Sequence, residues 1–291
     1  MPTKLDERSD NLRNRPGRIG HMVSDITLRD GMLLPALGFG LYKVAPAETA
    51  QVVRDGVAAG YRLVDGAQFY HNEPEVGVAL REVDRAALLV TSKFWGEEEM
   101  SRDAVLRAFD ASEVALGTGI DIYMIHWPRP RRDQYVDVWR GLIELREAGR
   151  VRSIGVSNFT EPQLRRLIDE TGETPSINQI ESHPWLPQHE LRAFHRAHEI
   201  ATQAWSPLGR GRLLADPVLG QIAARLDVSP AQVIISWHLR LGGSLIPKST
   251  HPERLRQNLD VDHFELSEAD LAAIAGLETA ERTGTHPDDR N

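Results

Sequence analysis

The chain has 291 residues, of which 41% are hydrophobic and 26% charged, with a net charge of −8 and no cysteine. This is globular composition with enough length for a sizeable core, and its acidic balance argues against nucleic acid or an anionic membrane as partner. Without cysteine there is no disulfide framework, no thiolate nucleophile and no cysteine metal site, and no apolar run approaches the roughly 18 residues that span a bilayer.

In chain order, residues 1–21 are polar and Arg-rich and lack the apolar core of a secretory signal. Asp6, Glu7 and Asp10 argue against a transit peptide. The segment reads as a disordered extension, an upstream start or an expression-derived leader, with Met22 as the natural start and one domain over residues 22–291. "ITLRDGMLLPAL" then reads as a hairpin turning at Asp30-Gly31. A first strand near Leu37–Leu41 and a helix near Glu48–Ala59 follow.

Seven further units repeat that alternation. "RLVDGA" precedes a helical pattern over Glu73–Val83, "ALLVTSK" one over Arg102–Leu116, and "IDIYMIHW" one over Asp133–Ala148. "VRSIGVSNF" precedes Glu161–Glu170, "SINQIE" His189–His198, "IATQAWS" Pro217–Leu226, and "GSLIPKS" Pro252–Leu259. Tyr135, Val138, Trp139, Leu142 and Ile143 form one apolar helical stripe, and Thr160 and Gln163 have capping-box spacing. Strand-helix repetition predicts a parallel sheet with crossover helices. Eight units predict an α/β fold, a (β/α)8 TIM barrel whose bottom is capped by the N-terminal hairpin. Pro230–Leu239 and Glu268–Ala275 are helices outside the regular count. A doubly wound sheet is the alternative, but no G-x-G-x-x-G turn follows the first strand.

Chemistry in such a barrel gathers at the carboxyl ends of the strands. Strand two ends on Asp65, with Tyr70 in the loop after it; strand three ends on Lys93 and strand four on His126. Each alone has an ordinary structural reading, as an ion pair, a packed ring or a satisfied histidine. Together they form a proton donor. A free phenol titrates near 10, an adjacent ammonium lowers that value, a carboxylate keeps the lysine charged and in place, and a histidine orients a carbonyl oxygen. Hydride arriving at the carbonyl carbon would need a cofactor, because side chains supply none.

The later strand ends fit one. Ser157, Asn158 and Gln179 offer the donors and acceptors that a carboxamide needs, Trp205 offers a flat face, and Ser206 follows it. Lys248, Ser249 and Thr250 lead into a helix carrying Arg254, a pattern that suits a phosphate monoester such as the 2′-phosphate of NADP. No histidine or carboxylate set stands at metal-ligand spacing around His126, and His183 in "ESHPW" reads as structural.

From "LPALGFGLYKV" through "VDGAQFYHNEPEVG", "VTSKFW", "YMIHWP", "IGVSNF", "INQIESHP", "WSPLGRG" and "IPKSTHPERLRQN", the sequence resembles the aldo-keto reductase family, and its tail "ERTGTHPDD" the bacterial branch that includes 2,5-diketogluconate reductases. The resemblance implies a cytoplasmic monomer that reduces aldehydes and ketones, dicarbonyls included, with NADPH. It implies a tetrad of Asp65, Tyr70, Lys93 and His126, with Tyr70 as general acid. Ser157, Asn158, Gln179 and Trp205 would hold the nicotinamide, Ser206 and Leu208 would also bind the cofactor, and Lys248, Ser249, Thr250, Arg254 and Asn258 would bind on its adenosine-phosphate side. Tyr42, Trp95 and Trp127 would line the substrate pocket. His251 and Gln257 stand where the bacterial relatives often carry Arg and Glu, which implies some NADH use. The short tail after Leu277 implies an open pocket and a broad substrate range. The alternative within the same fold is a non-catalytic NADP(H)-binding regulatory subunit, which the complete tetrad argues against.

Overall fold

The computed structural model describes residues 24–290. The expected N-terminal extension over residues 1–21, and Met22, lie outside them. A hairpin opens the described chain. Strand β1 (Ile26–Thr27) pairs antiparallel with β2 (Leu33–Leu34), with Ile26 opposite Leu34. The turn passes through Gly31 at φ 82°, a left-handed conformation that glycine adopts without steric cost.

Eight parallel strands follow in sequential order: β3 (Phe39–Gly40), β4 (Leu63–Asp65), β5 (Leu89–Phe94), β6 (Ile122–Ile125), β7 (Ser153–Ser157), β8 (Ile177–Glu181), β9 (Ala201–Trp205) and β10 (Ser244–Leu245). The sheet closes on itself, because Leu37 bridges Leu245 in parallel and the Gly38 N–H donates to the Leu245 carbonyl at 3.0 Å. This is the predicted (β/α)8 barrel. Leu28, Met32 and Leu34 of the hairpin pack against Leu63, Leu89, Ile122 and Ile177. These are the first residues of their strands, so the hairpin plugs the amino-terminal end and leaves the other end for chemistry.

The helices are α1 (Pro46–Ala59), α2 (Glu73–Leu80), α3 (Arg102–Leu116), α4 (Tyr135–Glu147), α5 (Glu161–Thr171), α6 (His189–Ala197), α7 (Pro217–Leu226), α8 (Pro230–Arg240), α9 (Pro252–Leu259) and α10 (Glu268–Ala275). The stripe on α4 is the core-facing one: Tyr135, Val138, Trp139 and Leu142 are buried. At the start of α5, Gln163 Oε1 accepts the Thr160 N–H at 2.9 Å, as the capping spacing predicts. Helix α2 is shorter than its apolar pattern, which extends to Val83. The chain leaves the helix after Leu80 and makes a 3-10 turn over Arg85–Ala87, whose start is capped by the Asp84 carboxylate accepting from the Ala86 N–H.

Candidate active site

Asp65 is the last residue of β4 and Lys93 the fifth of β5, and both are buried. The Lys93 ammonium lies 2.7 and 2.8 Å from the two Asp65 carboxylate oxygens and 2.7 Å from the Gly66 carbonyl. All three of its protons are therefore directed. Tyr70 sits on a 3-10 turn (Gln68–Tyr70) and brings its hydroxyl to 3.4 Å from Lys93 Nζ. His126 follows β6 and places its ring 5.8 Å from that of Tyr70. The four residues, carried by three strand ends and the turn that follows the first of them, meet at one mouth.

The electrostatics differ from expectation in one respect. Lys93 was expected to lower the Tyr70 phenol. Instead burial raises it well above its ordinary value, and the Asp65 and Tyr42 charges add to the rise. Burial and the Asp65 charge outweigh the pull of the Lys93 ammonium, whose charge Asp65 shares at contact distance. The phenol thus stays protonated throughout the neutral range. Burial also lowers Lys93, against the opposing pull of Asp65. His126 is pushed well below the usual histidine value, first by burial and then by Lys93, Arg290 and Arg129, so it is a neutral imidazole at neutral pH.

A polar chain roots the ion pair in the barrel. Gln179 Nε2 donates to Asp65 Oδ1 at 2.8 Å and to Gln203 Oε1 at 2.7 Å, Gln203 Nε2 donates to Ser244 Oγ at 3.1 Å, and Ser244 Oγ donates to the Pro35 carbonyl. Gln179 was expected to offer donors to a carboxamide; both of its donors are engaged in this chain, and its oxygen remains. Asn158 is similarly occupied. Its Nδ2 donates to the His126 carbonyl at 2.9 Å and to Ser157 Oγ at 3.0 Å, and its Oδ1 accepts from Trp205 Nε1 at 2.9 Å. Ser157 Oγ donates to the Gln179 carbonyl. Asn158 holds φ 66°, which asparagine tolerates better than most residues. It ties the Trp205 ring to the strand that carries His126.

All of the expected cofactor residues line one cavity of about 910 Å³: Ser157, Asn158, Gln179, Trp205, Ser206, Leu208, Lys248, Ser249, Thr250, Arg254 and Asn258. Asp65, Tyr70, His126, Tyr42, Trp95 and Trp127 line it too. Lys93 is reached through Tyr70 and Asp65 and does not itself line the space. At the far end Lys248 and Arg254 are exposed and have no carboxylate partner among the described residues. The buried Ser249 sits between them and accepts the His251 N–H at α9.

The substrate side holds residues that the motifs did not mark. Phe69 stacks on Trp95, with centroids 3.8 Å apart. The Arg129 guanidinium lies 4.9 Å from the Trp95 ring centre. The tail also departs from expectation. It crosses the mouth rather than leaving it bare. Glu181, buried at the end of β8, accepts the Thr283 N–H and hydroxyl at 2.6 Å each and the Gly284 N–H at 3.1 Å, and His183 Nε2 lies 3.1 Å from it. Gly284 packs so closely on Trp205 that a Cβ there would lie 2.5 Å from the ring. Gln163 Nε2, from the cap of α5, donates to Asp288 Oδ1. Thr285 and Arg290 thereby join the cavity wall. The adjacency of "QFY" could have marked Phe69; Arg290, one residue from the chain end, carries no local signal.

Comparison with known proteins agrees with this geometry. The family model described as "Aldo/keto reductase family" matches residues 36–279. An aldo-keto reductase of Mycolicibacterium smegmatis is 48% identical over 269 residues, covering 91% of this chain and 98% of its own. The 2,5-diketo-D-gluconic acid reductase B of Corynebacterium sp. is 46% identical, with 91% and 97% covered. Methylglyoxal reductase DkgA of Escherichia coli K12 is 41% identical, with 90% and 96% covered. Among solved structures, a Gox0644 variant in complex with NADPH matches at TM-score 0.88 and 44% identity, covering 91% of this chain and 97% of that one. An aldo/keto reductase from Brucella melitensis matches at TM-score 0.84 and 44% identity, with 88% and 100% covered. With its closed barrel, its buried Asp65–Lys93 pair beneath Tyr70 and these relatives, the chain belongs to the aldo/keto reductase family.

Proposed function

We propose that this protein is an NADP(H)-dependent oxidoreductase that reduces aldehydes and ketones, dicarbonyls among them, to alcohols, with Tyr70 as the proton donor. The observation that carries the reading is the Tyr70 hydroxyl 3.4 Å from a Lys93 ammonium that Asp65 chelates, at the wall of a cavity shared with His126; burial favours the neutral phenol and the neutral imidazole. A carbonyl oxygen between Tyr70 and His126 receives two hydrogen bonds. Charge that develops on it is stabilised by the phenol, and the phenol's own developing charge by Lys93.

The lining fits NADPH. Lys248 and Arg254, cations without a carboxylate partner among the described residues and close in sequence to the buried Ser249, would hold a phosphate monoester. The Trp205 indole, fixed by Asn158, would meet a flat ring, and the Gln179 oxygen, which takes no hydrogen bond among the described residues, would accept from a carboxamide. When bound, NADPH supplies the hydride that reduces the carbonyl carbon. His251 and Gln257 stand where the bacterial relatives often carry Arg and Glu, so the fixed guanidinium charge of an arginine is missing beside the phosphate and some NADH use belongs to the reading.

The alternative, a non-catalytic NADP(H)-binding regulatory subunit, finds no support among relatives that are named as reductases. No helix of the described residues is long and apolar enough to cross a membrane. A cytoplasmic monomer completes the proposal, and light scattering on the purified protein tests the monomer. The activity itself is tested by following NADPH and, separately, NADH oxidation with methylglyoxal, an aromatic aldehyde and a diketo sugar acid. Turnover with NADPH is expected; tight NADPH binding with no turnover on any carbonyl would overturn the reductase.

A further inference from the structure

Although the chain carries net negative charge, a cation, Arg290, lines the cavity together with Trp95 and Trp127. Arg290 lies with its guanidinium carbon 4.9 Å from the Trp95 ring centre and 6.0 Å from that of Trp127, and it has no carboxylate partner among the described residues. Glu97 accepts from Trp95 Nε1 at 2.8 Å and makes no ion pair with Arg290 among the described residues. The guanidinium lies within cation–π range of both indoles, and no side-chain acceptor among the described residues takes its N–H groups, which are available to a ligand. Its position is set from a distance. The buried Glu181 carboxylate pins Thr283 and Gly284, and Gln163 holds Asp288, so the residues leading to Arg290 are fastened to the barrel at two points.

The arginine is also close to the reacting groups. The Trp95 ring centre lies 5.1 Å from that of His126, so two short legs through one indole bound the span from imidazole to guanidinium. Its charge is felt at His126, where Arg290 ranks among the groups that disfavour the imidazolium.

We propose that Arg290 is the anion anchor of the substrate pocket, selecting carbonyl compounds that also carry a carboxylate a few bonds from the reacting carbonyl. The assignment rests on the reductase reading and deepens it. A carboxylate on Arg290 makes charge-assisted hydrogen bonds in a wall of indole and phenyl rings, where such bonds are stronger than in water. The carbonyl end then points to Tyr70 and His126.

Isosteric pairs test the inference: meta- and para-carboxybenzaldehyde against meta- and para-nitrobenzaldehyde, assayed with NADPH on wild type, Arg290→Gln and Arg290→Lys. In Arg290→Gln the ratio of kcat/KM for the charged member over its neutral isostere falls about 10- to 100-fold for at least one isomer, mainly through KM. Arg290→Lys retains part of that preference, because it keeps the charge and loses the planar fork. A ratio unchanged by Arg290→Gln for both isomers would overturn the anchor, while wild-type turnover of the nitrobenzaldehydes would leave the reductase reading standing. No turnover of any of the four by wild type would overturn both.

Discussion

Replacing Lys93 by methionine keeps most of the side-chain volume and removes the charge, which separates what the ion pair does for the fold from what it does for chemistry. The ammonium is fully buried and makes three contacts of 2.7 to 2.8 Å, two of them to Asp65. Without it the Asp65 carboxylate stays buried with Gln179 Nε2 as its remaining side-chain donor. Removing one partner of a buried pair costs about 3–5 kcal/mol, whereas removing both with shape kept is close to neutral. Lys93→Met should therefore lose about 3–5 kcal/mol, and the double variant Asp65→Asn/Lys93→Met should recover most of it, since an asparagine oxygen still accepts from Gln179. Denaturant unfolding of wild type, both single variants and the double gives the coupling directly. Turnover should be lost in Lys93→Met and stay lost in the double, because Tyr70 no longer has a cation to stabilise its phenolate. A Lys93→Met variant as stable as wild type would refute the reasoning, as would a double variant that recovers activity along with stability.

Three further predictions follow from the site. Tyr70→Phe should lower kcat about 10²- to 10⁴-fold while leaving NADPH affinity by fluorescence titration nearly unchanged, and because burial raises the phenol, the wild-type pH profile should hold its proton-donor limb until pH passes above the ordinary phenol value near 10; a donor limb falling near neutrality would contradict this. Arg254→Ala should weaken NADPH binding about 10- to 100-fold and NADH binding far less, and equal losses would mean that Arg254 does not meet the 2′-phosphate. Glu181→Gln should raise hydrogen exchange over residues 279–290 and raise KM for carboxylate substrates. Burial pushes the Glu181 carboxyl up, but His183 and Thr283 outweigh it and hold the net value below the usual range, so the latch is complete above about pH 4.3 and is lost as pH falls through the lowered folded value; unchanged tail exchange in Glu181→Gln would count against it.

Much of this molecule is readable along the chain, and the limit has a physical cause. The barrel follows from local signals: apolar runs, helical stripes and caps such as Thr160/Gln163 each involve neighbours a few residues apart. The tetrad is legible for a related reason. A parallel barrel brings every strand's carboxyl end to one mouth, so Asp65, Lys93 and His126 need only be recognised as strand ends to be placed together. What topology does not deliver is the state of each group once it arrives. Lys93 looks from sequence like a cation free to tune a phenol, and in the fold its charge is already matched by Asp65. Gln179 and Asn158 look like free amides, and in the fold their donors bind Asp65, Gln203, the His126 carbonyl and Ser157. Hydrogen-bond satisfaction is a property of the assembled neighbourhood, and composition gives residue types without their allotment.

The tail marks the other limit. Its course depends on Glu181 accepting from Thr283 and Gly284 across a separation of about a hundred residues, with Gln163 donating to Asp288 across 125. None of these residues lies in an element whose pattern announces a partner. A short segment after Leu277 reads as a pocket left open, yet the carboxylate at the end of β8 turns the same segment into a wall that carries Arg290 to the indoles. Asp65, Lys93 and His126 come from the strand ends that a parallel barrel aligns, whereas the proposed anion anchor rides on a tail that reaches the cavity through long-range side-chain hydrogen bonds. In such a molecule, changing Glu181 should move substrate preference before it moves the chemistry at Tyr70, because the latch touches the wall and not the reacting groups.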